Sequence, residues 1–141
     1  MRGAEGQGMD QRSVLVVEDE VIIRLHLADY LREADFTVLE AATGDEALEV
    51  LRFSNLVAVV VTDFNMPGAT DGLSLARQAR ALHPGIKIIL VSAQIVPGAA
   101  TVADAVFCKP CDPAEIVRQV SALMQAYRKG NGGSPPAVES A

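Results

Sequence analysis

Three short runs of consecutive apolar, largely β-branched residues limit what this chain can fold into: residues 13–17 (SVLVV), 57–62 (VAVVVT) and 86–91 (IKIILV). Runs of this length, apolar at neighbouring positions, suit strands covered on both faces, since a half-exposed strand would alternate apolar with polar. Each run stops at a polar or charged residue: the first at Glu18-Asp19-Glu20, the second at Asp63, the third at Ser92. Two weaker runs, 37–40 and 105–108, complete the set, and the last of them ends at Lys109.

The segments between the runs read as helices. Over 20–34, Ile23, Leu27, Leu31 and Ala34 keep helical spacing. Thr43-Gly-Asp-Glu46 has the form of a capping box, in which hydroxyl and carboxylate serve each other's free backbone donors, and it opens a helix to about Phe53. After a loop holding Pro67 and Gly68, Gly72, Leu75, Ala76, Ala79 and Leu82 mark a third helix, ended by Pro84-Gly85. Asp112-Pro113 is an N-cap followed by proline at the first helical position, and Ile116, Val120, Leu123 and Tyr127 line one face of the last helix. Strand and helix in alternation imply an α/β fold, a parallel sheet with helices on both faces. Ligands of such sheets bind beyond the carboxyl ends of the strands, so Glu18, Asp19, Asp63, Ser92 and Lys109 are expected in one crevice.

Carboxylates gathered in one place repel one another unless a cation joins them. A hard divalent ion is the natural partner; Mg²⁺ takes one or two carboxylates, keeps waters and leaves room for a phosphate oxygen. An aspartate can act as the nucleophile toward phosphorus, with a lysine and a hydroxyl at the rim for the remaining oxygens.

The segments VLVVEDE (14–20), VVVTDFNMPG (59–68), IILVSAQ (88–94) and VFCKP (106–110), in this order and at strand ends, resemble the receiver domain of two-component response regulators. The resemblance spans 13 to about 128. It implies a flavodoxin-like, five-stranded sheet of order 2-1-3-4-5. It implies that Asp63 is the phosphoacceptor, and that Asp19 ligates Mg²⁺ directly while Glu18 acts mainly through water. Asn65 would add a backbone carbonyl, Ser92 would meet the phosphoryl oxygen, and Lys109, joined to Pro110 by a cis bond, would pair with the phosphate. Asn65 and Gln94 stand at the family's variable positions for dephosphorylation. The implied role is a phosphoacceptor switch rather than an enzyme. Its phosphoryl donor would be a sensor histidine kinase or a histidine phosphotransfer protein, and its output a downstream protein target. No output domain for DNA is expected, and a homodimer is left open.

Two features depart from the family pattern. Ser92 and Lys109 are seventeen positions apart, fewer than usual, and 93–104 has Pro97, Gly98 and no amphipathic stripe. The fourth helix is therefore expected to be short or irregular, as in some single-domain receivers. The usual switching aromatic is replaced by Val106, and Phe107 is no simple substitute because neighbouring strand positions face opposite ways.

Composition narrows the alternatives. Half the residues are apolar and the formal net charge is −6, without a basic cluster, which disfavours nucleic acid as a partner. No apolar stretch is long enough for a bilayer, and no signal peptide is evident, so a cytoplasmic location is expected. Residues 1–12 read as a flexible leader, 13–128 as the receiver domain and 129–141 as a disordered tail. The acids after the first strand also suit a helix N-terminus, and Asp63 a turn. His26 and His83 read as ordinary surface or helix-end residues. Cys108 and Cys111 form C-x-x-C between strand and helix, which raises a thiol–disulfide oxidoreductase as a rival. A receiver-like scaffold that binds partners without phosphate is a second rival.

Overall fold

The computed structural model describes residues 12–66 and 68–132. The expected leader apart from Arg12, Pro67, and the tail beyond Gly132 lie outside the described residues. Five strands, β1 (Ser13–Val17), β2 (Thr37–Ala41), β3 (Val57–Asp63), β4 (Lys87–Ser92) and β5 (Ala105–Cys108), form one parallel sheet of order β2-β1-β3-β4-β5. Five α-helices connect or follow them: α1 (Val21–Glu33), α2 (Gly44–Phe53), α3 (Gly72–Leu82), α4 (Ala99–Val102) and α5 (Pro113–Tyr127). A π-helical turn, Arg128–Gly132, continues α5 into the start of the expected tail.

Strand alternation sorts the apolar residues into two cores. Val14 and Val16 of β1 join Ala28 and Leu31 of α1 and Ile116, Val120 and Met124 of α5. Leu15 and Val17 face the other way, onto Leu48 and Leu51 of α2 and Leu75 and Ala79 of α3. Each fully buried Leu, Ile or Val contributes about 1.5–3 kcal/mol relative to exposure. A register shift against β1 leaves Ala58 as an extra residue in β3, a bulge, so Ala58 and Val59 both join the α1/α5 core.

The helix faces differ in detail from the sequence patterns. In α1 only Ala28 and Leu31 are buried, while Ile23 and Ala34 are exposed. In the first turns of α1, Ile22 is 77% exposed and, with Ile23, lines a groove shared with Pro113 and Ile116 of α5. In α5 the third buried position is Met124, with Leu123 and Tyr127 only partly covered. At α2 the Thr43 hydroxyl accepts from the Glu46 N–H (3.0 Å) as expected, but the Glu46 carboxylate accepts from Ala42 N–H (2.8 Å) rather than from Thr43. Asp112 caps α5 by accepting from Ala114 N–H at 3.0 Å. The fourth helix is a single turn entered through Gly98 at φ 84°, as the short, Pro- and Gly-containing segment predicts.

Gly72 sets how α3 meets the end of β3. A Cβ there would lie 2.4 Å from the Asp63 carbonyl oxygen and 2.7 Å from Phe64 Cα. Both are backbone atoms that cannot swing away. Gly72→Ala should therefore destabilise the fold by about 1–3 kcal/mol, read as a lower midpoint in urea unfolding. An unchanged midpoint would contradict the close approach.

Candidate functional site

The chain order reverses between β1 and β3: from β1 it passes to β2 on one side, then to β3 on the other. Register places Val17 beside Thr62, so Glu18 and Asp63 emerge side by side at that switch point. One carboxylate oxygen each from Glu18, Asp19 and Asp63 lies within 4.8 Å of the others. Glu18 and Asp63 are buried, and Asp19 is exposed at the rim. The Lys109 ammonium lies 2.8 Å from Asp63 Oδ1 and 3.9 Å from Glu18 Oε1. Residues at the ends of β1, β3 and β5 thus meet in one crevice.

Backbone contacts hold each part. Glu18 N–H donates to Ala41 O (3.1 Å), which ties the β1 end to β2, and the Glu18 carboxylate accepts from Glu20 N–H (3.1 Å). Phe64 N–H donates to Val91 O (2.9 Å), and Gly72 N–H to Phe64 O (3.0 Å), which clamps the peptide after Asp63. Lys109 N–H donates to Ser92 O (2.8 Å), which fixes the β5 exit against β4. The Lys109–Pro110 bond is cis, as the resemblance implied.

Two further expected residues lie at the end of β4 and just past the end of β3. Ser92 is buried at the end of β4, and its hydroxyl accepts from Gln94 N–H (3.1 Å). Asn65 is exposed in the loop after β3. Sequence reasoning overlooked Arg24 and Glu40, which brace the loop after β1. It also overlooked Asp104, which accepts from Ile88 N–H (2.8 Å) and pairs with Arg80 (2.9 Å). That latch fixes the end of the segment 93–104 to β4 and α3.

The cluster's electrostatics follow from crowding. Burial pushes the Glu18 carboxyl above its usual range, helped by the charges of Asp63 and Asp19; the Glu20 N–H and Lys109 oppose the rise. Burial works against the charged Lys109, but its hydrogen bond to Asp63 and the charges of Asp63, Glu18 and Glu20 raise it above the ordinary lysine value. The donor set is all oxygen, anionic and compact, which fits a hard divalent ion such as Mg²⁺. A groove of about 890 Å³ runs from this cluster along α1 and the start of α5, past Ile22, Ile23, His26, Pro110 and Ile116. His26 is exposed and packs edge-on against Tyr30.

The C-x-x-C pair shows no sign of an activated redox centre. Both thiols are free. Cys111 packs with Phe107 on the α1/α5 side, while strand alternation turns Cys108 to the other face. Burial raises the Cys111 thiol pKa against the opposing pull of Lys109, the reverse of an activated thiolate.

Removing the ammonium exposes the repulsion it offsets. A raised lysine stabilises below its unfolded pKa and loses that contribution only as pH rises through its folded value, so the parent keeps it throughout neutral pH. In Lys109→Met, Glu18 loses a neighbour that lowers its pKa and moves further up. A carboxyl raised in the folded state favours folding at low pH, and that advantage is lost as pH rises through its folded pKa. The variant should thus melt below the parent at pH 8, with the gap narrowing toward pH 5 and with added Mg²⁺. A pH-independent gap in thermal melts would contradict this reading.

The response regulator receiver domain family matches residues 14–121. Over 81 residues the chain is 44% identical to the sensor kinase CckA of Brucella abortus (strain 2308), covering 57% of this chain and 8% of that protein. The chain spans about half or less of the length of the curated relatives it matches. Among solved structures, the response regulator protein TrrA from Thermotoga maritima, in complex with Mg(2+)-BeF, superposes with a TM-score of 0.72 at 31% identity, over 79% of this chain and 98% of that one. A CheY-like receiver domain protein from Methanospirillum hungatei gives a TM-score of 0.78 at 23% identity over 85% and 98%, a likeness of fold. With its sheet order, its crevice of strand-end acids and lysine, and a family match across nearly the whole described chain, this protein belongs to the response regulator receiver domain family of two-component systems.

Proposed function

We propose that the chain accepts a phosphoryl group on Asp63 from a histidine kinase or histidine phosphotransfer protein, and that the modified form signals to a protein partner. The observation that carries this is the Lys109 ammonium at 2.8 Å from Asp63 Oδ1 within a cluster of three carboxylates. A buried aspartate held beside a cation supports the reading of Asp63 as the group that attacks phosphorus. In the step, an Asp63 oxygen forms the new P–O bond, the P–N bond of the phosphohistidine breaks, and its electron pair returns to the imidazole nitrogen. Mg²⁺, when bound, neutralises the carboxylates and the phosphoryl oxygens. Glu18, Asp19, Asp63 and the Asn65 carbonyl would hold it. Lys109 would transfer its contact from Asp63 to a phosphoryl oxygen, and the Ser92 hydroxyl, which accepts from Gln94 N–H, would donate its proton to another.

The groove beside Asp63 supports a protein donor. Its walls are apolar, and exposed Ile22 and Ile23 stand on α1 next to the acids. That surface suits the apolar face of a helix that carries the phosphohistidine. The chain is read as a phosphoacceptor switch and not as an enzyme acting on a separate substrate. Among the described residues no helix is long and apolar enough to cross a membrane.

Acetyl phosphate with Mg²⁺ should add one phosphoryl group to the parent protein and none to Asp63→Asn, because an amide is a poor nucleophile. Intact-mass spectrometry reads the result, and equal labelling of the variant would remove Asp63 from the role. The conformational response should concentrate in 93–104. That segment holds one turn of helix, and Val106, half exposed on β5, is too small and stiff to act as an aromatic switch. NMR shifts with and without beryllofluoride should change most there. A Phe107 ring that moves from its partly buried site while 93–104 stays unchanged would contradict this.

A further inference from the structure

Arg24 lies in the second turn of α1, largely buried, and its guanidinium makes two contacts. Nη1 donates to the Glu18 carbonyl at 2.8 Å, and Nε donates to Glu40 Oε1 of β2 at 3.1 Å. The Glu18 carbonyl belongs to the peptide that joins Glu18 to Asp19. Fixing its oxygen fixes the plane of that peptide, and so the point from which the Asp19 side chain departs. Asp19 is the exposed member of the carboxylate cluster, with no strand ladder to hold it.

Glu40 in turn orients Arg24. It sits opposite Val16 in the β1–β2 ladder, and its other oxygen pairs with Arg32 at 3.1 Å. Arg32 sends a second bond to Val38 O (3.1 Å), away from the acidic loop. Two arginines therefore share one carboxylate, but only Arg24 reaches the peptide between Glu18 and Asp19.

We propose that Arg24, held by Glu40, is the positioning residue of the acidic metal site, setting the Glu18–Asp19 peptide so that both carboxylates face Asp63 before the ion arrives. This rests on the reading of that cluster as a Mg²⁺ site. The physical basis is that groups orienting metal ligands govern affinity although they do not touch the ion. Without the Nη1 bond the peptide can rotate, and binding must then order the loop as well as fill the site.

The test is titration of the full chain with MgCl₂ at constant ionic strength, followed by amide shifts in ¹⁵N NMR, for the parent and for Arg24→Met, Arg24→Lys, Arg32→Met and Asp19→Asn. Methionine keeps much of the packing of the arginine stem and removes both hydrogen bonds. Arg24→Met should weaken Mg²⁺ about tenfold. Arg24→Lys should lose less, because one ammonium can reach one acceptor. Arg32→Met should stay within about twofold, since Arg32 does not touch the ligand loop. An Arg24→Met affinity equal to the parent's would overturn the proposal, as would equal losses in Arg24→Met and Arg32→Met, which would mean general loosening of the β2 edge. If circular dichroism finds Arg24→Met unfolded, Arg24→Lys is compared with Arg32→Met by the same criterion. Parent-like Mg²⁺ binding by Asp19→Asn would overturn the metal site itself, and the proposal with it; loss in Asp19→Asn with parent-like Arg24→Met would overturn the positioning role alone.

Discussion

Carboxylates held within reach of one ion repel one another, and the more so when two of them are buried. The organisation of this crevice answers that repulsion. Glu18 and Asp63 leave neighbouring strands at the point where the sheet order reverses, so the topology forces them together. Lys109, from the opposite end of the chain, brings its ammonium to Asp63. The β4–β5 ladder and the bond from Lys109 N–H to Ser92 O place that lysine. The sheet thus serves as the frame that holds mutually repelling groups at a fixed spacing, ready for a divalent cation.

Much of this was legible in the amino-acid order. The β-branched runs stop where the polar residues begin, and in a parallel sheet those stops share one edge. Glu18, Asp19, Asp63 and Lys109 could be assembled on that ground alone. The short fourth helix was equally readable from Pro97, Gly98 and the missing apolar stripe. Other features were not readable, for reasons of tertiary contact. Whether Ile23 is buried depends on what lies opposite it, and it lines an open groove instead of a packed interface. The bond of Glu46 to Ala42 rather than Thr43 depends on how the chain enters α2. Arg24 looks like any helix-surface arginine until the fold brings β2 beside it and carries Glu40 within reach.

The redox rival is disfavoured by thiol chemistry. A redox centre needs an activated thiolate, yet burial pushes the Cys111 thiol up. A receiver-like scaffold that binds partners without phosphate is separated from a phosphoacceptor by Mg²⁺-dependent phosphorylation, and burying two acids beside one lysine costs desolvation on every group. The output side is where this chain differs from the family pattern. Val106 replaces the switching aromatic, and the Arg80–Asp104 latch fixes the far end of 93–104 while its near end follows Ser92. On the proposed reading, a signal arising at Asp63 would have a short tethered segment to act through, in place of a rigid helical face.

The central claim is that Asp63 is the one group in the crevice that becomes covalently modified. Borohydride reduction of the protein after reaction with acetyl phosphate and Mg²⁺, followed by peptide mass spectrometry, tests it most directly. An aspartyl phosphate is reduced to homoserine, which marks the modified carboxyl. The account predicts homoserine at position 63 and at no other position. Homoserine at Asp19 or Glu18's reduced counterpart at position 18, or a stable phosphate on His26 with Asp63 unchanged, would contradict it.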